Sequence, residues 1–390
     1  MAKYKYSYGG ALIGKQEILA INKVIKKNYW PLASEGEKME KEAAKFLGVK
    51  HGILANSGSS AGLLALSALE LPKGSEVIIP AVTFPTIFNI ILQCGLTPVV
   101  VDSKIGTYNL ELNEIEAAIS EKTKAIICVH AVGNPVDMPK VIEIAKRHNL
   151  YVLEDNCDGW GGTINGQAVG GFGDISFTSF HAAHIVAMGQ GGGVFTNDEE
   201  LARRVRMYRD WGRQSDIPRR INGDKWPTLP EDYDSRFIYE KIGYNLSPLE
   251  LQAAMGRVQL KKIGKIKKLR ARNFAYLYEN LSKFDDLIMP RWIEGAEPSW
   301  FAFPLSTKSK RGPLVAYLEK NGIETRSMFS GNILRHPAFA NVEHRSMITN
   351  GSDCNFILTN SFWLGCHPRY GKKELDWVVS VFKKYYDRAS

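Results

Sequence analysis

The sequence predicts a mostly parallel α/β sheet followed by a smaller second unit, and three observations predict it. Between residues 76 and 209, short β-rich runs alternate with helical ones, the rhythm of strand–crossover–strand units. Some of these runs are apolar without a break, as in Ala125-Ile-Ile-Cys-Val129, which suits strands covered by helices on both faces. From about residue 287 the rhythm changes to short strands and helices. A chain of 390 residues is long enough for two cores. We therefore expect a large domain over 1–255, including the N-terminal helices, and a small α/β domain over 256–390.

Residues 15–28 carry Ile18, Leu19, Ile21 and Val24 on one helical face, and 36–47 read as a second helix ending at Gly48. His51 to Ser60 leads into an Ala/Leu-rich helix that ends near Leu71. The strand candidates are Glu76–Pro80, Thr97–Asp102, Lys124–His130, Leu150–Asp155, Ile175–Phe180 and Gly192–Thr196. Helices are expected over 85–94, 111–120, 138–148 and 198–209. Asn165-Gly166, between Gly162-Thr-Ile and Gln167-Ala-Val, signals a tight hairpin. Residues 213–237, with Pro218, Pro227 and Pro230, read as a long polar loop. One helix follows over Pro248–Leu260 and another runs to about Phe284; the chain closes with a helix over Lys373–Tyr386.

The formal charge is +9, but the basic residues are scattered. The densest run, Lys261 to Arg272, has Ile263, Ile266 and Leu269 at helical spacing and reads as a solvated helix face rather than a nucleic-acid surface. A mildly basic protein also suits an anionic small substrate. No apolar run reaches the ~18 residues that span a bilayer. Five widely spaced cysteines suggest neither a disulfide framework nor a zinc site. The first residues have no apolar signal core, so a cytoplasmic protein is expected.

Candidate chemistry gathers at three places. Ser57-Gly-Ser59 opens a helix, where free backbone N–H groups and the helix dipole make an anion site; a plainly capped helix explains the same residues. Asp155 ends an apolar strand, either capping the next helix or touching a ligand. Residues 176–193 run from a strand through two histidines into a glycine-rich turn, a shape that presents side chains at the open end of a sheet.

Taken together, these motifs resemble the DegT/DnrJ/StrS sugar aminotransferase family of fold-type I pyridoxal-phosphate enzymes over nearly the whole chain. The resemblance implies an aspartate-aminotransferase-like fold with a mostly parallel seven-stranded sheet. In that family a Ser-Phe-His-x-x-Lys-x-x-x-x-Gly-Glu-Gly-Gly segment carries the lysine that binds the cofactor covalently. This sequence has Ser179-Phe-His-Ala-Ala-His184-Ile-Val-Ala-Met-Gly189-Gln-Gly-Gly192, with His184 at the lysine position. By the same matching, Asp155 pairs with the pyridine nitrogen and Phe84 stacks on the ring. Gly58, Ser59 and Ser179 hold the phosphate, and Asp158 lies near the ring hydroxyl. Asn245 reaches the cofactor phosphate of the neighbouring subunit, which implies a homodimer with shared sites.

Imidazole cannot form the lysine's Schiff base but can move protons near neutral pH. The variant resembles a branch of the family, the pyridoxamine-phosphate-dependent 3-dehydratases of nucleotide-linked 4-keto-6-deoxyhexoses, through Ala183-His184 to Gly192 and through Thr325-Arg-Ser-Met-Phe-Ser-Gly-Asn332. The resemblance thus implies a lyase of deoxysugar biosynthesis that uses pyridoxamine or pyridoxal 5′-phosphate, with His184 as the proton acceptor and glutamate as a possible amino donor; the alternatives are a nucleotide-sugar aminotransferase homologue and a non-catalytic cofactor-binding protein. Arg326, Asn332 and Arg335 are candidate substrate contacts, and the arginines could equally be surface charges. His181 is expected to pack. One form of the branch carries a [2Fe–2S] cluster on four cysteines. Here Cys157 fits the first position, while Ser215, Ile217 and Lys225 occupy the others. One thiolate cannot hold a cluster, so none is expected.

Overall fold

Eight strands form the central sheet. Their order is His51–Ala55, Gly192–Thr196, Ile175–Ser179, Tyr151–Asp155, Thr123–Val129, Glu76–Pro80, Thr97–Val101 and Arg345–Ser346. From Ile175–Ser179 onward each neighbouring pair is parallel, while Gly192–Thr196 runs antiparallel to both of its neighbours. The computed structural model describes residues 4–213, 226 and 228–389.

Both faces of this sheet are covered, which is why its strands are apolar at successive positions. Ile53, Val77, Ile79, Val100, Ile127, Leu153 and Phe177 point into one core. Their alternates Ile78, Val99, Val101, Ile126, Cys128 and Val152 point into a second. The expected strands and helices of this half are present to within one or two residues, except that the Ala/Leu-rich helix ends at Ala68, three residues before Leu71. So is the hairpin, as Thr163–Ile164 paired with Gln167–Ala168. Helix starts are local: Ser57, Asp137 and Asp198 each accept a backbone N–H of the first turn, and Pro85 opens the helix Pro85–Gln93.

The structure also differs from the sequence reading. His51–Ala55 is a strand, not a lead-in to a helix. Residues 250–281 form one continuous helix, Glu250–Leu281, where two were expected. Gly256 causes no break because it lets the helix close against Met188, whose Cγ would lie 2.6 Å from any added Cβ. The eighth strand, Arg345–Ser346, comes from the small unit and extends the expected seven. Of the 213–237 loop, residues 214–225 and 227, including Ser215, Ile217 and Lys225, lie outside the described residues. The basic run 261–272 is a mostly solvated face, as expected, except that Arg270 is only 2% exposed.

The small unit carries a four-stranded antiparallel sheet in the order Leu287–Ile288, Ala302–Thr307, Ser361–Gly365, Thr325–Ser327. Its helices are Arg311–Lys320, Asp353–Asn360 and Lys372–Ala389. The N-terminal segment lies against it: Tyr6 is fully buried, stacked on Tyr370 with ring centroids 4.1 Å apart. Polar contacts tie this unit to the central sheet, two side-chain sets among them. Arg345 donates to Glu76 through Nε at 2.9 Å and Nη2 at 2.7 Å. Asp102 caps the helix Asp353–Asn360, accepting from Asp353 N–H at 2.6 Å and Cys354 N–H at 2.8 Å. The division at 255/256 is our proposal, and the helix Glu250–Leu281 crosses it.

Candidate active site

The C-terminal ends of the parallel strands open into a cavity of about 460 Å³, closed on its far side by the small unit and the N-terminal segment. Eight of the candidate site residues read from the sequence line it: Gly58, Ser59, Phe84, Asp155, Asp158, Ser179, His184 and Arg326.

One wall is a helix start. Ser57 caps the helix Gly58–Ala68: its Oγ accepts from Ser60 N–H at 3.1 Å and its carbonyl from Ala61 N–H at 3.0 Å. The Gly58 and Ser59 amides precede the helical ladder, so they are free for an anion. Ser59 and Thr86 share a hydroxyl hydrogen bond at 2.8 Å beside them, and Ser179 Oγ accepts from His181 N–H at 3.2 Å. Gly58 is needed for close approach, because a Cβ there would lie 2.5 Å from that of Ser179. Phe84 stands at the rim, 57% exposed, as the residue before Pro85.

The floor is acidic. Asp155 ends its strand and is buried; among the described residues its side chain's hydrogen-bond partner is Cys157, whose N–H it accepts at 3.0 Å. Burial raises its pKa, and the hydrogen bonds from Cys157 oppose the rise. His130 has both ring nitrogens committed. Nε2 donates to the buried Glu154 at 3.1 Å and Nδ1 accepts from Val136 N–H at 3.1 Å. Burial and the neighbouring Asp155 push Asp158 up to about 8.

His184 hangs over this floor. Its Nδ1 donates to the Ser179 carbonyl at 3.1 Å, which fixes the tautomer of the neutral ring and leaves the lone pair on Nε2. Nε2 lies 3.5 Å from Asp158 Oδ1. Burial lowers the pKa of His184 to about 4, with His181 and Arg270 adding to the effect and the Ser179 carbonyl opposing it. The ring is therefore a neutral proton acceptor facing a carboxyl group that holds its proton.

The substrate candidates and Asn245 are placed differently from one another. Arg326 lines the cavity, its guanidinium 4.5 Å above the Tyr8 ring and paired with Glu324 at 2.6 Å. Asn332 is 1% exposed and caps the turn Ile333–Arg335, accepting from Leu334 N–H at 3.0 Å. Arg335 is exposed and outside the lining, and Asn245 lies away from this cavity, bridged to Asp210. His181, expected to pack, is exposed and lines the cavity. The sequence reading passed over Tyr8, His130, Phe301 and Trp363, which also line it. They are lone residues on separate elements, brought together only by the fold, and no local pattern marks them.

With this geometry in hand, comparison with known proteins is informative. Residues 11–383 match the family described as the DegT/DnrJ/EryC1/StrS aminotransferase family. Two relatives are each 38% identical. One is the lipopolysaccharide biosynthesis protein RfbH of Salmonella typhimurium, matched over 97% of this chain and 91% of the relative. The other is a dTDP-4-dehydro-2,6-dideoxy-D-glucose 3-dehydratase of Saccharopolyspora spinosa, over 98% and 86%. Among solved structures, the E. coli GDP-4-keto-6-deoxy-D-mannose-3-dehydratase with bound hydrated PLP superimposes with a TM-score of 0.88. It is 28% identical, covering 97% of this chain and 99% of the other. The mixed α/β architecture is thus that of fold-type I aminotransferase-like proteins, as the sequence led us to expect.

Proposed function

Since the chain belongs to the DegT/DnrJ/EryC1/StrS aminotransferase family, we propose that it is a pyridoxamine-phosphate-dependent 3-dehydratase acting on a nucleotide-linked 4-keto-6-deoxyhexose in deoxysugar biosynthesis. The observation that carries this reading is His184. It stands at the family's lysine position and faces the cavity with a neutral imidazole, and among the described residues no lysine lines that cavity. The names of the relatives support the same substrate class.

The residues fit the cofactor. The free Gly58 and Ser59 amides, with the Ser59, Thr86 and Ser179 hydroxyls, suit a phosphate. The buried carboxyl of Asp155 has acceptor capacity to spare for a protonated ring nitrogen, and Phe84 at the rim offers an aromatic face. Bound there, the cofactor would supply an amine that condenses with the C4 ketone and a ring that accepts electron density.

This chain's own residues then move the proton. His184 Nε2, with its lone pair fixed toward the cavity, takes the proton released at the cofactor carbon. It returns that proton to the departing C3 hydroxyl, which leaves as water. Asp158 Oδ1, 3.5 Å away, is placed to accept the Nε2–H that forms. Arg326, on the cavity wall, is placed to meet the diphosphate by exchanging Glu324 for the ligand. Glutamate would restore the amine. A homodimer completes the site through the partner's Asn245, and the cytoplasm suits these substrates. Among the described residues no helix is long and apolar enough to cross a membrane.

Incubation with pyridoxamine phosphate, glutamate and CDP-, GDP-, dTDP- and UDP-linked 4-keto-6-deoxy sugars tests the proposal. A 3-deoxy product from one of them is expected. Borohydride treatment of the pyridoxal-phosphate form should leave no phosphopyridoxyl-lysine; a stoichiometric adduct would overturn the reading.

A further inference from the structure

Arg270 sits inside the long helix Glu250–Leu281 and is only 2% exposed, yet it forms no ion pair among the described residues. Its Nη1 donates to the Phe301 carbonyl at 2.6 Å and to Cys366 Sγ at 3.8 Å, and among the described residues its Nε has no partner. A guanidinium buried in this way is costly to keep unless its charge serves something nearby. What lies nearby is the cavity. Phe301 touches both: the guanidinium is 5.9 Å from its ring centroid, and the His184 ring meets it edge-on at 5.5 Å and 70°. The Phe301 backbone is held at both ends, its N–H by the Val132 carbonyl at 2.9 Å and its carbonyl by Arg270.

We infer that Arg270 is a positioning residue for His184: its buried charge adds to the effect of burial in disfavouring a proton on the imidazole, and its hydrogen bond keeps Phe301 seated against the imidazole edge. The groups that face His184 allow this. Asp158 lies 3.5 Å from Nε2, and the His181 ring is 6.0 Å away. Asp155, Cys157 and Arg326 line the same cavity. Burial and the neighbouring Asp155 hold the proton on Asp158, so that carboxyl does not offset Arg270. The guanidinium opposes a proton on His184 and favours ionisation of Asp158. It thus biases both partners toward a base that is free to accept. The consequence for turnover rests on His184 being the proton acceptor proposed above; the protonation state itself does not.

The test reads that state directly. Histidine-15N spectra of the full chain, without cofactor or substrate, are recorded across pH, with His184 assigned by its loss in His184→Gln. Across roughly 10 Å at an effective dielectric near 20, one charge shifts a neighbouring pKa by about one unit. Arg270→Gln should therefore raise the His184 midpoint by about one pH unit, while Arg270→Lys, which keeps the charge, should leave it with the wild type. A purely structural role predicts that both variants disturb His184 alike. An unchanged midpoint in folded R270Q, or an equal shift in both, would overturn the inference. Should R270Q not fold, Phe301→Leu decides the positioning half: its His184 should sample both neutral tautomers, and a single fixed tautomer would refute it. Because no substrate is present, a failed dehydration assay leaves this result standing, and the reverse also holds.

Discussion

Replacing Arg345 with Met should loosen the small unit from the central sheet, and the size of the effect follows from Glu76. That carboxylate accepts two hydrogen bonds from Arg345, at 2.9 and 2.7 Å, and one each from Ser120 Oγ at 2.6 Å and Thr123 Oγ1 at 3.1 Å. The Arg345 hydrogen bonds are the main cause that pulls its pKa from 4.5 to about 2, against the opposing effect of burial. A depression of that size corresponds to roughly 3 kcal/mol of preference for the ionised form in the folded state. Arg345 is 35% exposed, so water screens it and we take about 2 kcal/mol. The folded pKa is the lower one, so the stabilisation is complete above the unfolded value near 4.5 and is lost as the pH falls toward 2. Urea unfolding followed by tryptophan fluorescence should show Arg345→Met about 2 kcal/mol less stable at pH 7, with the deficit at least halved at pH 3. A variant as stable as the wild type at pH 7, or a deficit that does not shrink in acid, would refute the reasoning.

Three further outcomes are expected. His184→Asn removes the proton acceptor and should lower the rate of 3-deoxy product formation about 10²–10⁴-fold, with an unchanged circular dichroism spectrum. Gly58→Val places a Cβ where one would stand 2.5 Å from that of Ser179. It should cost about 1–3 kcal/mol in denaturation and weaken binding of pyridoxamine phosphate, read by fluorescence titration. If Asn245 completes the partner's site, co-refolding inactive Asp155→Ala and Asn245→Ala chains should regain roughly a quarter of wild-type activity, because half of the dimers are hybrids with one intact site. No recovery would argue for self-contained sites.

Much of the sheet was legible because its strands are buried on both faces and read as unbroken apolar runs. His51–Ala55 escaped because its apolar residues flow without a turn signal into Asn56-Ser57-Gly58, where the helix start dominates the pattern. Arg345–Ser346 escaped because two polar residues carry no periodicity; the strand exists only through tertiary pairing. At the site, residues within continuous motifs were legible: Gly58, Ser59, Asp155, Asp158, Ser179 and His184 all line one cavity. Asn332 resembled a substrate contact, but its side chain serves the backbone of its own turn. Tyr8, Phe301 and Trp363 come from three separate elements and converge only in the folded chain. Arg270 was hidden for a different reason. It sits in a run of exposed lysines and arginines, and only its azimuth on the helix turns it inward.

The Arg345–Ser346 strand has a consequence for the chain as a whole. Without it, Thr97-Pro-Val-Val-Val101 would be the outermost strand of the sheet, with three consecutive valines and a row of unmatched backbone groups, a template on which other chains could add. The small unit therefore also shields the sheet from self-association. A truncation that removes it should yield insoluble protein even though every residue on the large-domain side of the cavity would still be present.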